Sequence, residues 1–309
     1  MSRSGARVVQ PRPSSGRIAV LAAALLWSTG GLFIKEVTLD PWGISFWRSS
    51  FAAIAIFAIY RAMQGRAGIG TLRDWFSPFV LLSAFFFAFM LVSFVLATKL
   101  TTSANAIFLE YTAPIYVLFV EPILARTKLK RTDLAAVLIS TLAMALFFID
   151  KFEIQSFWGN IAALGSGIAF AAYALVLKHE RATFQSRWHI VIVGHLMIAV
   201  AMGFVALTGN TSLALSGANL WRLLFLGIVQ IGAAYALFTY GIAHIRAIDA
   251  TLIAMVEPVL NPVWVFLGIG ERPANFAILG GLIILSVSII RTARGSREAV
   301  EVESVRSGE

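Results

Sequence analysis

Cysteine is absent from this chain of 309 residues, and charged residues are scarce. Without cysteine, neither a disulfide framework nor a thiolate metal site can form. Charged residues make up 13% of the chain, against about a quarter in soluble domains, and 59% of the residues are hydrophobic. Because so little polar surface cannot cover a globule in water, the apolar residues must face lipid as well as each other. The sequence therefore predicts an all-α integral membrane protein.

Recognisable catalytic motifs are missing as well. The chain has no His-Glu-x-x-His zinc motif, no phosphate-binding Gly-Lys loop and no Gly-x-Ser-x-Gly nucleophile elbow. It also offers no polar stretch long enough for a soluble nucleotide-binding domain. We therefore expect neither an enzyme nor a cofactor.

Apolar runs of the length of a membrane span fill most of the chain. A bilayer core about 30 Å thick needs about 20 apolar residues for each helix. Ten stretches meet this requirement and are predicted to be transmembrane helices: 18–38, 42–62, 75–98, 104–125, 133–150, 157–178, 188–208, 220–243, 248–268 and 274–290.

Lysine and arginine are distributed unevenly between the two predicted membrane faces. If the N-terminus is cytoplasmic, nineteen lie on the cytoplasmic side: Arg3, Arg7, Arg12, Arg17, Arg61, Arg66, Arg73, Arg126, Lys128, Lys130, Arg131, Lys178, Arg181, Arg187, Arg246, Arg291, Arg294, Arg297 and Arg306. Five lie outside: Lys35, Lys99, Lys151, Arg222 and Arg272. The positive-inside rule then places both termini in the cytoplasm. We expect the protein to lie in the cell's inner membrane. The same bias accounts for the net charge of +9 without nucleic acid and makes membrane lipid the expected partner of the basic face.

The chain reads as two related halves between polar ends. Residues 1–17 are predicted to be a disordered cytoplasmic arm, and 293–309 a cytoplasmic tail. Residues 18–150 and 151–292 would each contain five helices. Asn105 precedes Pro114 by nine residues in helix four, and Asp249 precedes Pro258 by nine in helix nine. Because five is odd, the second half would run opposite to the first, an inverted repeat that places substrate near the midplane.

The end of the second half resembles the EamA repeat of the drug/metabolite transporter superfamily. Glu257-Pro258-Val259 is followed by Gly270-Glu271-Arg272 and then by Gly280-Gly281. In that repeat a helix with a mid-membrane proline ends in Gly-Glu-Arg. The first half departs from the pattern, with Arg126-Thr127-Lys128 at the corresponding place. The resemblance implies transport without ATP hydrolysis, and the aromatic-rich form is similar to the branch that exports amino acids, including aromatic ones.

Acidic residues inside predicted spans are the first candidates for substrate binding, because a charge at mid-membrane is costly. Glu110 lies one turn before Pro114. Because proline has no N–H, Pro114 cannot donate a hydrogen bond to the backbone carbonyl of Glu110. This acid and free carbonyl could bind an ammonium group, or Glu110 could form a structural pair with a residue such as Arg48. Arg48 itself could pair with a carboxylate of the substrate or of the protein, or extend to the outer membrane interface.

A second group of candidates combines amides, hydroxyls and aromatic rings. Glu257, Asn261 and Trp264 share one helix face, which suits an amino acid or a cationic aromatic molecule, although a polar contact between helices is the alternative. The others lie in mid-helix, where interhelical hydrogen bonds are again the alternative to substrate contacts: Trp27, Tyr111, Tyr173, Gln230 and Tyr235. Pro114 and Pro258 are predicted to kink their helices.

These observations predict a secondary transporter that exports amino acids or related metabolites by alternating access. A multidrug or organic-cation exporter of the same fold is the alternative, since acids and aromatic rings in one cavity would suit it equally. The expected partners are a small-molecule substrate and lipid, and the chain is expected to act as a monomer. Proton coupling through Glu110 or Glu257 is left open.

Overall fold

A computed structural model describes residues 13–64, 68–101, 103–148, 156–209, 212–269, 276, 278–291 and 293. Throughout these residues the regular secondary structure is helical. In chain order the helices are α1 (Pro13–Trp27), α2 (Gly30–Glu36), α3 (Pro41–Gln64), α4 (Leu72–Trp75), α5 (Pro78–Leu100), α6 (Ser103–Glu110), α7 (Ala113–Leu124), α8 (Arg131–Phe148), α9 (Phe157–Lys178), α10 (Phe184–Thr208), α11 (Gly217–Leu224), the π segment (Phe225–Ala233), α12 (Ala234–Ile242), α13 (Ala247–Ala254), α14 (Val256–Ile269) and α15 (Ile278–Arg291).

Several of these helices are long and apolar enough to cross a membrane. Within the described ranges, seven stretches qualify: Ser14–Ile34, Pro41–Gln64, Pro78–Leu100, Asn105–Leu124, Phe157–Lys178, Phe184–Thr208 and Gly217–Ile242. The all-α, multi-pass class predicted from the sequence is thereby confirmed. The number of ten spans and their opposed orientation stay predictions.

Helix α5 shows how the sequence sets both the start of a helix and its two faces. Ser77 caps its N-terminus by accepting a hydrogen bond from the Val80 amide, and Pro78 occupies the first turn, where its missing N–H costs nothing. Leu82 and Phe85 are exposed, whereas Phe87 is fully buried. Large exposed apolar side chains are unfavourable in water, so this outer face is the surface that lipid would cover.

The ends of the chain differ in part from the predicted boundaries. Helix α1 begins at Pro13, inside the arm predicted for residues 1–17, because a proline is well suited to the first position of a helix. Residues 1–12 and 294–309 lie outside the described residues. So does the Gly270-Glu271-Arg272 motif on which the family resemblance partly depends.

The two sequence halves interdigitate rather than forming separate bundles. Helix α5 packs most extensively on α9 and also on α10, and α3 packs on α10 and the π segment. In the same way, α1 packs on α12, and α6 and α7 pack on α9. The main packing interfaces therefore join residues before position 149 to residues after position 155, and the centre of the molecule lies between the halves.

Two helices are interrupted shortly before a proline. The turn at Tyr111 and Thr112 separates α6 from α7, two residues before Pro114. Met255 separates α13 from α14, three residues before Pro258. A proline removes one helical hydrogen bond and clashes with the preceding turn, which explains both positions.

Two further irregularities arise without proline. Ser28 and Thr29 separate α1 from α2, and their hydroxyls donate at 2.7 Å to the carbonyls of Leu25 and Leu26. Such hydroxyl bonds compete with the helical pattern and bend the backbone. Helix α11 continues into the π segment, a conformation that is rare and frequent at functional sites.

Candidate functional site

A small internal cavity lies where these interruptions meet. Its volume is about 30 Å³, which holds about two water molecules. Both halves of the chain contribute to its lining: Trp27, Arg48, Met90, Leu91, Phe94, Glu110, Tyr111, Phe170, Gln230, Ile231, Tyr235 and Glu257. The cavity in this conformation is therefore polar, aromatic and too small for an amino acid.

Glu110 reaches the cavity from the last residue of α6. Its Oε1 accepts a hydrogen bond of 2.6 Å from the Ser166 hydroxyl of α9. The two helices approach closely because Gly167 has no side chain, and a Cβ there would lie 2.6 Å from the Glu110 carbonyl oxygen. The interruption after Glu110 thus places both its carboxyl group and its carbonyl against α9.

Glu257 reaches the cavity from the first turn of α14. Its Oε2 accepts a hydrogen bond of 2.6 Å from the Tyr111 hydroxyl, which lies in the interruption of the other proline-bearing helix. This contact joins the two halves of the chain across the cavity. Both buried acids are therefore held by neutral hydroxyl groups.

Aromatic rings form one wall of the cavity. The Trp27 ring lies 4.8 Å from that of Tyr235 and 5.1 Å from that of Phe238, between centroids. The carbonyl of Trp27, at the interrupted end of α1, accepts a hydrogen bond of 3.2 Å from the Gln230 amide. Gln230 thus forms an interhelical hydrogen bond, which the sequence analysis gave as the alternative to a substrate contact. Its side chain also lines the cavity.

Arg48 of α3 lines the same cavity as the two acids and is only 4% exposed. Its backbone can approach the π segment because Gly227 lacks a side chain, and a Cβ there would lie 2.8 Å from the Arg48 carbonyl oxygen. The expectation that Arg48 could extend to the outer interface was wrong, because packing between α3 and the π segment turns it inward. Among the described residues it does not form the structural ion pair with Glu110.

Six of the nine predicted substrate residues line this cavity, and three do not. The hydroxyl of Tyr173 lies 3.4 Å from that of Thr239. Asn261 packs against Gly31, and the Trp264 indole donates to the Ser28 hydroxyl at 2.8 Å. Trp264 shares a helix face with Glu257, but seven residues along a helix advance it about 10 Å, so a shared face does not bring both to one cavity.

Sequence reasoning missed several apolar lining residues and also Ser166, which is not part of the lining but donates a hydrogen bond to Glu110. It lies between Gly165 and Gly167, a run of small residues that permits close helix packing. The one hydroxyl group within this run of small residues was the feature of the sequence that could have pointed to Ser166. The apolar lining residues Met90, Leu91, Phe94 and Ile231 give no signal that distinguishes them from other hydrophobic positions.

A separate ionic cluster lies at one end of the helices. Asp133 of α8 accepts hydrogen bonds from Arg246 and from Arg291, and Asp249 of α13 also accepts from both arginines. Burial by itself would lower the pKa of Arg246, but its bonds to Asp133 and Asp249 raise this pKa above its ordinary value. The cluster thus joins the first half of the chain, through α8, to the second.

Glu121 of α7 makes another connection at this end. Its carboxylate accepts hydrogen bonds of 2.8 and 3.1 Å from the amides of Ala247 and Ile248, the first residues of α13. These amides have no partner within their own helix, so a side chain from the other half caps α13.

Comparison with known proteins is consistent with this architecture. The sequence profile of the EamA-like transporter family matches residues 14–149 and again residues 157–292. An uncharacterized transporter of Archaeoglobus fulgidus is 26% identical over 278 residues, covering 89% of this chain and 95% of its own. The uncharacterized transporter YwfM of Bacillus subtilis is 24% identical over 288 residues, covering 91% and 95%.

A solved structure shares the fold. One crystal structure aligns with a TM-score of 0.77 at 17% identity, covering 91% of this chain and 98% of that chain. At this identity the likeness concerns the fold alone.

Proposed function

Because the chain belongs to the EamA-like transporter family, we propose that it is a secondary transporter exporting amino acids or related small metabolites across the inner membrane. The observation that carries this proposal is the central cavity, where Glu110 and Glu257 face aromatic rings between the two halves of the chain. Buried carboxyl groups and an indole provide the contacts that an ammonium group and an apolar side chain require. One chain supplies the whole cavity, which is consistent with a monomer.

The proposed architecture has ten membrane spans arranged as two inverted repeats of five helices. The seven long apolar helices are supplemented by α8, by α13 with α14, and by α15. The interruptions before Pro114 and Pro258 occupy corresponding places in the two halves. Opposite orientation of the repeats and cytoplasmic termini follow from the odd helix number and from the distribution of lysine and arginine.

Transport by alternating access requires this cavity to widen. Its volume of about 30 Å³ leaves no room for an amino acid, so substrate must enter a different conformation. The interrupted helices contribute residues on both sides of the cavity and have fewer internal hydrogen bonds at these points. We propose that they bend when the two halves move against each other and expose the cavity to one side of the membrane at a time.

Purified protein in proteoliposomes tests this function. Vesicles preloaded with unlabelled amino acids would be diluted into labelled ones, with and without a pH gradient. We expect counterflow of one or a few amino acids. The absence of substrate-dependent flux both with and without the pH gradient would contradict the proposal. The organic-cation alternative predicts accumulation of cationic drugs instead, together with increased drug resistance of expressing cells.

Proton coupling is tested with the same vesicles. If Glu257 carries the proton, Glu257→Gln abolishes uptake driven by a pH gradient, whereas counterflow, which needs no net proton movement, persists at saturating substrate with a raised KM. The same comparison for Glu110→Gln identifies which acid is the carrier. Glu36→Gln is the control, because Glu36 lies outside the cavity and pairs with Arg222. Unchanged proton-driven uptake in both cavity variants would exclude coupling through these acids.

A further inference from the structure

The charge of Arg48 is buried without a partner. In the described part of the chain its guanidinium forms no ion pair and no hydrogen bond, and Nη1 is enclosed completely. Removing an unpaired charge from water is unfavourable even after a protein relaxes, so buried arginines normally have an anionic partner. Arg48 has no such partner among the described residues, although two acids line the same cavity.

The two acids are turned towards other donors. Glu110 accepts from Ser166 and Glu257 accepts from Tyr111, each at 2.6 Å. A structural ion pair between Arg48 and either acid would have neutralised both charges. Within the described residues Arg48 instead lies beyond ion-pair distance of either carboxylate, although all three groups line one cavity.

Other polar atoms around the cavity are also unsatisfied. Among the residues that the structure describes, the Trp27 indole Nε1 is a buried donor without a partner, and the Gln230 Oε1 is a buried acceptor without one. The Gln230 orientation is fixed by the bond from its Nε2 to the Trp27 carbonyl. The lining therefore offers unused donors for an anionic group and an unused acceptor for a cationic group.

We propose that Arg48 binds the carboxylate of the substrate, with the substrate's ammonium group directed to Glu110 and Glu257. A guanidinium matches a carboxylate through two parallel hydrogen bonds, and the Trp27 indole can add a third. The substrate class is then the zwitterion of an amino acid, and simple amines and organic cations are excluded. This inference rests on the proposed transport function, since it assigns a ligand to the same cavity.

A zwitterion fits this cavity better than an ion of either sign. An organic cation would leave Arg48 unpaired and place a second positive charge near it. A dianion such as a phosphate ester would bring its charge close to two carboxyl groups. An amino acid introduces one charge of each sign, and each finds an opposite charge on the protein.

Competition against the wild-type protein tests the proposal without any mutation. The probe is labelled L-phenylalanine, or the amino acid of highest counterflow if phenylalanine is not carried. The competitors are the unlabelled amino acid, its amide, the amine without the carboxylate, and the acid without the amino group. We expect only the amino acid to compete well, with at least 10-fold weaker inhibition by the other three. Equal inhibition by the amine or the amide would overturn the proposal.

Substitution of Arg48 then tests the residue itself. In Arg48→Met we expect amino-acid flux to fall at least 10-fold and the preference for the acid over the amide to disappear. Arg48→Lys keeps the charge without the paired geometry, so the KM should rise with part of the preference retained. Arg61→Met is the matched control, because Arg61 lies on the same helix but is exposed.

The outcomes separate this inference from the proposed function. If the wild-type protein carries no amino acid, the function itself is wrong. If it carries amino acids while Arg48→Met and Arg48→Lys keep the full preference for the acid over the amide, the function stands and the role of Arg48 is wrong. A purely structural role would lower the flux of every substrate equally and leave that preference unchanged. Should Arg48→Met fail to fold, Arg48→Lys and the wild-type competition decide.

Discussion

Arg246 and Asp133 form a bidentate ion pair between the two halves of the chain, with N–O distances of 2.8 and 3.1 Å. Arg291 binds the same aspartate at 2.7 Å, and both arginines also bind Asp249. This closed ring of two arginines and two aspartates connects α8 to α13 and α15. A movement that separates α8 from α13 and α15 would break this ring, so the ring favours the packing of these helices seen here.

Loss of one aspartate should therefore be costly. In Asp133→Asn, Arg246 and Arg291 each lose a charged partner, and we expect the free energy of unfolding to fall by about 1–3 kcal/mol. Thermal unfolding in detergent measures the effect. In Glu36→Gln the ion pair with Arg222 is lost, and because the Glu36 carboxylate is much more exposed than that of Asp133, we expect a change below about 1 kcal/mol. Equal stability of Asp133→Asn and the wild-type protein would show that the ring contributes little.

Tyr111 should matter for transport beyond its packing. Tyr111→Phe removes the donor to Glu257 and leaves a buried carboxyl group without its hydroxyl partner, so we expect a KM increase of about 10-fold and a stability loss of about 1–3 kcal/mol. Tyr173→Phe is the control, because its hydroxyl makes only a long contact of 3.4 Å and lies outside the cavity lining. Counterflow kinetics distinguish the two, and similar KM values for both variants would contradict the assignment.

Gly167 should be far less tolerant of substitution than Gly165 on the same helix. In Gly167→Ala the added Cβ would lie 2.6 and 2.9 Å from backbone carbonyls of α6, which cannot move without separating the helices. We expect a loss of about 1–3 kcal/mol and reduced flux. In Gly165→Ala the nearest atom is 3.3 Å away, on the half-exposed Phe89 ring, which can shift. Matched melting temperatures for the two variants would refute the proposed close contact.

Pro114 should influence the rate of transport more than stability. Pro114→Ala supplies an N–H that can bond to the Glu110 carbonyl and extend the helix through the interruption. We expect counterflow to slow several-fold while the melting temperature stays equal or rises. Pro122→Ala lies within α7, away from the cavity lining, and should leave the rate unchanged. A rate in Pro114→Ala equal to that of the wild type would show that the interruption is not needed for movement.

The acids and several aromatic residues of the cavity could be predicted because ionisable and polar groups in an apolar helix are costly and therefore conspicuous. Ser166 and the partner choice of each acid could not be predicted, since they depend on which helices meet. The interruption at Ser28 and Thr29 has no proline to indicate it. Asn261 and Trp264 were grouped with Glu257 by helix periodicity, which defines a face but not how far along it a cavity extends.

The sequence by itself determined that this protein is helical and built for a membrane, because the lengths of apolar runs and the scarcity of charge leave no other way to cover its surface. Only the tertiary structure decided which buried charges meet. Arg48 turns towards the acids because α3 packs on the π segment at Gly227, and Asp133 meets Arg246 because the halves interdigitate. Both relationships join residues far apart in the chain, and no local pattern of side chains encodes such distances.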